Sequence, residues 1–144
     1  PIFRQERVGR NKKPFTLVKF RTMRKDTASV ASHLASADAI TPFGRFLRRT
    51  KLDELPQLWN VLKGEMSLVG PRPVPENELL KYHGCSWVYL SMRPGLTGLW
   101  QVSGADQRRY SDRIRLDTRY QQEISLWTDL KILLKTVPEV LRRI

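Results

Sequence analysis

A single cysteine, Cys85, and two histidines fifty residues apart, His33 and His83, leave this chain of 144 residues without a disulfide framework or a cysteine/histidine zinc site. The fold therefore closes by packing, which suits a reducing compartment. No run approaches the roughly 20 apolar residues that a membrane-spanning helix needs, and no secretory signal precedes Pro1. A first residue other than Met fits a trimmed piece of a longer protein, with any membrane segment upstream. Neither a Walker loop nor a dinucleotide glycine motif occurs, which argues against the common kinds of ATP chemistry. Acids are scarce as well: 14 Asp and Glu stand against 26 Lys and Arg, a formal charge of +12. That excess points to anionic partners, whether nucleic acid, phosphorylated small molecules or an acidic membrane face, without choosing among them. The length and the 40% apolar content fit one domain, residues 1–144, with a modest core.

The pattern along the chain predicts an α+β fold, mainly helical with an N-terminal β-hairpin. Ile2 to Val8 and Phe15 to Met23 read as two strands joined by a Gly-Arg-Asn-Lys-Lys turn, with Phe15, Leu17 and Phe20 on the apolar side. Residues 1 to 25 hold nine basic side chains and one acid, so much of the excess charge lies on this hairpin. Residues 26 to 40, small and polar, read as a weak helix or a loop. Thr41 and Pro42 match an N-cap followed by proline, opening a helix with Phe43, Phe46 and Leu47 opposite Arg45, Arg48 and Arg49. This is a basic amphipathic helix suited to a membrane surface. The next helix is predicted from near Asp53, because Pro56 is tolerated only in a first turn, with Leu55, Leu58, Trp59 and Leu62 as its buried stripe and Gly64 as its stop.

Beyond it, Val69 to Pro75 reads as a stiff turn, Glu76 to Tyr82 as a short helix, and "SMRPGLTGLWQVSG" as a structured loop with a short strand. Ser111 is placed as the cap of a helix running to about Ser125, with Leu116, Tyr120 and Ile124 on one face. Thr128 is placed as the cap of a last helix that Pro138 bends or ends.

Asp53 and Glu54 are the first chemical candidates. Their plain reading is a helix cap, since carboxylates suit the exposed N–H groups of a helix start. The second reading draws on their neighbours: Arg48, Arg49 and Lys51 precede them and Arg72 follows between two prolines. Phosphoryl transfer needs such a cluster, with cations for the phosphate oxygens, a hard divalent metal such as Mg2+ on one or two carboxylates, and an in-line nucleophile. An aspartate can itself attack phosphorus. Arg72 is either a structural arginine bonding loop carbonyls or a guanidinium pre-positioned for phosphate. Lys19 and Arg21 alternate onto one strand face, as a solvated edge or as further phosphate ligands. Arg93 and Gln101 lie in a segment that reads equally as a packed turn or a nucleotide-binding loop.

Four segments, "FRQERVGRNKKPFTLVKFRTM", "TKLDELPQLWNVLKGEMSLVGPRP", "RPGLTGLWQVSG" and "RIRLDTRYQQEISLWTDLKILLKT", resemble in order and spacing those of the bacterial sugar transferases, the monotopic phosphoglycosyl transferases. The resemblance covers nearly the whole chain. It implies transfer of a sugar 1-phosphate from a nucleotide diphosphate sugar, a UDP-hexose, to a polyprenyl phosphate, releasing a nucleoside monophosphate. It also implies that Asp53 attacks the β-phosphate, that Glu54 binds magnesium or takes the acceptor's proton, and that Lys19, Arg21 and Arg72 hold phosphate oxygens. The implied location is the cytoplasmic face of the bacterial inner membrane, anchored by an upstream segment. Two features depart from the family: the hydrophobic re-entrant helix that precedes the hairpin lies outside this chain, and Gly104, Ala105 and Asp106 stand where many relatives carry Gly-Arg-Asn.

The expected partners are thus a nucleotide sugar, a polyprenyl phosphate and the anionic inner-membrane surface, with a homo-oligomer left open. A nucleic-acid-binding module is the competing reading of the charge, but a groove-reading helix that opens with two carboxylates repels the phosphate backbone. A third reading is a catalytically silent scaffold in a polysaccharide assembly complex.

Overall fold

A computed structural model describes residues 1–26, 37–105 and 109–143 of the chain. Most of the segment read as a weak helix or loop, and Asp106, lie outside the described residues. The N-terminal hairpin forms, with strand β1 (Ile2–Val8) antiparallel to β2 (Pro14–Phe20) in a register that pairs Ile2 with Phe20 and Val8 with Pro14; β2 ends short of the expected Met23, which instead bridges to Ile40. Its five-residue turn is closed by the Gly9 amide donating to the Lys13 carbonyl at 2.8 Å. Phe15 and Leu17 are buried against Met66, whereas Phe20 is exposed. An even-numbered residue of β2 must face away from the side that Phe15 and Leu17 fill.

Helix α1 (Pro42–Thr50) starts where the capping pattern puts it: Thr41 Oγ1 accepts from the Gly44 amide at 2.9 Å. Leu47 turns inward, but Phe43 and Phe46 stack on each other in solvent with ring centroids 6.3 Å apart. Lys51 ends the helix in a left-handed conformation, φ 62°, and the chain reverses into a single 3-10 turn, Leu52–Glu54. Helix α2 (Gln57–Leu62) follows.

The expected burial of α2 is reversed. Leu55, Leu58, Trp59 and Leu62 are exposed, Leu62 at 80%, and the inward residues are Gln57 and Asn60. The cause is the open edge of β2. Asn60, fully buried, donates from Nδ2 to the Thr16 carbonyl at 2.8 Å and to Glu65 Oε2 at 2.8 Å, and accepts from the Val18 amide at 3.3 Å. A side-chain amide therefore does for this edge what a third strand otherwise does. Replacing Asn60 by Ala strips a buried edge of these partners and is expected to cost about 3 kcal/mol. Leu62→Ala, on the exposed side, is expected to change stability by no more than about 0.5 kcal/mol. Urea midpoints of the two variants test this order.

A second sheet was not expected. Strand β3 (Ser67–Val69) runs parallel to β4 (Gly95–Thr97), and the proline-rich turn lies between β3 and helix α3 (Glu76–Leu79). A Cβ on Gly95 would lie 2.0 Å from the Gly70 nitrogen, so glycine is required for the two backbones to meet. Helices α4 (Ser86–Leu90) and α5 (Leu99–Val102) complete the middle of the chain. Helix α6 (Tyr110–Gln122) is N-capped at Arg109, so Ser111 lies inside it; Leu116 and Tyr120 are buried but Ile124 lies beyond its end and is exposed. Ser125 rather than Thr128 caps helix α7 (Leu126–Arg143), its Oγ accepting from the Thr128 amide at 3.0 Å. The helix runs through Pro138.

Two buried clusters hold the helical part together. Val8, Val74, Leu79, Tyr82 and Tyr89 join the hairpin to the proline turn, and Val69, Val88, Met92, Tyr120 and Ile132 join β3 to α6 and α7. Tyr89 binds the first cluster through its hydroxyl, which donates to the Val8 carbonyl at 2.6 Å and accepts from the Val74 amide at 3.0 Å. Among the described residues, no helix is long and apolar enough to cross a membrane.

Candidate active site

The hairpin, the 3-10 turn and the proline turn converge on a shallow open cleft. Arg7 and Leu17 come from one face of the hairpin together with Lys19, because the register pairs Arg7 with Phe15 and so puts the odd-numbered residues of both strands on the same side. Glu54 and Gln57 come from the turn and the start of α2, Arg72 and Pro73 from the proline turn, and Gln101 from α5. Glu54 is the one acid among the lining residues. It pairs at long range with Arg72, 3.9 Å, and with Lys51, 3.6 Å.

Asp53 sits behind this wall. It is 5% exposed, and its Oδ1 is buried without a hydrogen-bond partner. Burial pushes its carboxyl above the ordinary range, and neighbouring Glu54 pushes the same way, while Lys51, Lys19 and Arg48 pull it down. Both acids lie in the first turn of the 3-10 segment, as the plain reading has it, but Lys51 and Pro56 occupy the two N-cap positions and neither start has a side-chain cap bond. Lys51, in the αL conformation at φ 62°, reverses the chain between α1 and the 3-10 turn that carries both carboxylates, at a cost of roughly 1 kcal/mol for a non-glycine residue.

The cations of the cleft crowd one another. Burial lowers Lys19 to about 8, with Arg72, Arg7 and Arg48 adding to the effect. Arg7, buried, falls to about 10 from burial and then from Arg72. Positive charge in excess of the local acids is what a multiply charged phosphate ester relieves. Lys19 and Arg21 both lie over the ring of Phe3, at 5.4 and 5.8 Å from its centroid, so the two strand cations are brought together as the alternation predicts.

Of the residues singled out in the sequence, Lys19, Glu54, Arg72 and Gln101 line the cleft. Asp53 directly precedes Glu54 and Arg21 shares the Phe3 ring with Lys19, but neither is among the lining residues, and Arg93 is exposed outside the cleft. Arg7 and Gln57 were missed. The hairpin register would have revealed Arg7, since it shares a face with Lys19; Gln57 had no signal, because the apolar pattern of α2 points to its opposite side. Among the described residues no group of three or more His, Cys, Asp or Glu gathers for a metal. Asp53 and Glu54 nevertheless fit magnesium, which is commonly held by one or two carboxylates with water and substrate phosphates. The uncommitted Oδ1 of Asp53 is an acceptor with capacity to spare.

Residues 1–143 match the family model described as Bacterial sugar transferase. The chain is 45% identical, over 99% of its length, to the UDP-galactose-lipid carrier transferase of Erwinia amylovora, of which the match covers 34%. It is 45% identical to the undecaprenyl-phosphate galactose phosphotransferase of Salmonella typhimurium, over 99% of this chain and 33% of that protein. It is 42% identical to the exopolysaccharide production protein ExoY of Rhizobium meliloti, over 96% of this chain and 69% of that protein. The chain thus spans about a third of the first two relatives.

Proposed function

The chain belongs to the bacterial sugar transferase family, and on that premise we propose that it transfers a sugar 1-phosphate from a nucleotide diphosphate sugar, a UDP-hexose, to a polyprenyl phosphate. This is the first membrane step of exopolysaccharide, O-antigen or capsule repeat-unit synthesis. The observation that carries the reading is a buried carboxylate with an uncommitted oxygen, Asp53, set behind a cleft where Glu54 alone faces Arg7, Lys19 and Arg72.

The diphosphate enters the cleft and its oxygens take the guanidinium of Arg72 and the ammonium of Lys19, with Arg21 beside them. Asp53 swings from its buried position toward the β-phosphorus, and Oδ1 forfeits no hydrogen bond in doing so. Its oxygen bonds to that phosphorus; the bond to the bridging oxygen breaks, and the electron pair leaves with UMP. An oxygen of the polyprenyl phosphate then attacks the acyl phosphate, and Asp53 departs as carboxylate. Glu54, in the cleft, takes the acceptor's proton. Asp53 and Glu54 are also the residues to hold magnesium, which when bound neutralises charge on the phosphate oxygens.

Orientation on the anionic cytoplasmic leaflet follows from the same elements. Exposed Phe43 and Phe46 on α1 lie among Arg45 and Arg49, and α2 adds Leu58, Trp59 and Leu62. Each basic residue near such a surface contributes about 1 kcal/mol, and Arg142 near the C-terminus can add to it.

The test is release of UMP from a panel of UDP-sugars with undecaprenyl phosphate and magnesium; absence of release across the panel leaves the scaffold reading standing. In the same assay Lys19 should govern the alkaline side. It must be charged to hold phosphate, and in the free protein its proton leaves as pH rises through about 8. The KM for the nucleotide sugar is therefore expected to rise about tenfold between pH 8 and 9.5, and Lys19→Arg to flatten that limb.

A further inference from the structure

We infer that Arg113, on α6 and outside the cleft, is a positioning residue that sets the aim of Arg72; this rests on the phosphate role proposed for Arg72. The turn carrying Arg72 has a shortage of donors, because Pro71 and Pro73 contribute no N–H. Its backbone acceptors are met one by one from elsewhere in the fold. The Pro71 carbonyl accepts from the Gly95 amide at 2.7 Å, the Arg72 carbonyl from Arg113 Nη2 at 2.8 Å, and the Pro73 carbonyl from Arg7 Nη1 at 3.0 Å. The Val74 carbonyl accepts from the Val8 amide at 2.9 Å. Each peptide of the turn is therefore pinned, and the peptide that follows the Arg72 Cα is pinned by Arg113.

Arg113 is itself fixed. It is buried, with its guanidinium carbon 4.7 Å from the Trp100 ring centroid and 5.2 Å from that of Tyr110, and Nη1 donates to the Tyr110 hydroxyl at 3.3 Å. The Tyr110 hydroxyl in turn donates to Glu78 Oε2 at 2.5 Å, and the Tyr82 hydroxyl donates to buried Asp117 Oδ2 at 2.7 Å one helical turn along from Arg113. Trp100 directly precedes Gln101 of the cleft wall. One buried guanidinium thus ties the proline turn to the wall formed by α5. A group held within a fraction of an ångström of its working position gains from a locked supporting shell, and loses rate when the shell loosens.

The experiment is a double-mutant cycle between Arg113 and Arg72 in the full-length protein, read by UMP release and, independently of turnover, by affinity for inorganic pyrophosphate. Arg113→Met is expected to lower kcat about 100-fold and pyrophosphate affinity about tenfold, and Arg113→Lys, which keeps one donor and the charge, to lower each by less. In an Arg72→Ala background both substitutions should cost less than about twofold more, because the aim of an absent side chain no longer matters. Melting temperatures identify the folded variants, and Arg113→Lys serves for the cycle if Arg113→Met does not fold. The inference is overturned if the losses persist undiminished in the Arg72→Ala background, or if folded Arg113 variants match the wild type in both readouts. Absent UMP release by the wild type, together with a coupled pyrophosphate cycle, would sink the transferase reading and leave this inference in place.

Discussion

Asp53→Asn is expected to lower UMP release by at least about 10³-fold and to eliminate radiolabel transferred to the protein from a β-phosphate-labelled UDP-sugar. Asparagine keeps the shape of the side chain but is no nucleophile toward phosphorus, so substrate binding should change far less than turnover. The same substitution is expected to make the protein more stable near neutral pH. Burial raises the folded-state carboxyl of Asp53 above its unfolded value, so between the two the folded chain holds a proton that the unfolded chain has released. Stability attributable to this group therefore falls as pH rises through that interval, and above it the wild type carries a poorly solvated charge that asparagine lacks. Thermal melts should show a higher midpoint for Asp53→Asn at pH 7 and a difference that shrinks as the pH is taken down through the ordinary carboxylate range. A variant that retains turnover excludes covalent attack by Asp53, and one that is inactive but no more stable removes the claim that this carboxylate is held at a cost.

Arg72→Met should reduce kcat by about 10² to 10³, the usual range for removing one charged or dipolar group from a developing anion. Arg72→Lys should recover part of this, because an ammonium supplies charge without the planar fork that grips two phosphate oxygens. The proline-flanked turn and its pinned carbonyls keep the backbone at this position in place whatever side chain it carries, so the loss should not come with a change in melting temperature of more than a few degrees. Glu54 loses a distant partner in both variants, but the pair is partly solvated and contributes little stability. If Arg72→Met instead raises KM alone, Arg72 binds the ground state and transition state equally, and its proposed role in the transfer step is wrong.

The parts of the molecule written locally were legible. The hairpin, the Thr41 cap with its proline, the stop at Gly64 and the stiff proline turn each depend on residues adjacent in sequence, and each forms where the pattern puts it. The grouping of Lys19, Glu54 and Arg72 on one cleft is what the family resemblance implied; charge and spacing alone left Lys19 open between a solvated edge and a phosphate ligand. The face of α2 was not. Its leucines and Trp59 obey the rule for a buried stripe, but Asn60 meets the hydrogen-bonding demand of the β2 edge, and an unsatisfied strand edge outweighs burial of side chains that can remain outside. The short strand expected in residues 91–104 forms as β4, but its parallel pairing with β3 was not legible, since it joins residues nearly thirty positions apart in runs of three.

The amino-acid sequence by itself determined the basic charge, the rigid setting of Arg72 and the adjacency of the two carboxylates, because these follow from covalent neighbours and side-chain chemistry. Only the tertiary structure decided that Asp53 is buried while Glu54 faces the cleft, that Arg7 joins Lys19 there, and that Arg113 reaches across from α6 to hold the Arg72 carbonyl. Burial, register and long-range hydrogen bonds are properties of which surfaces meet, and no periodicity within one segment encodes its partner.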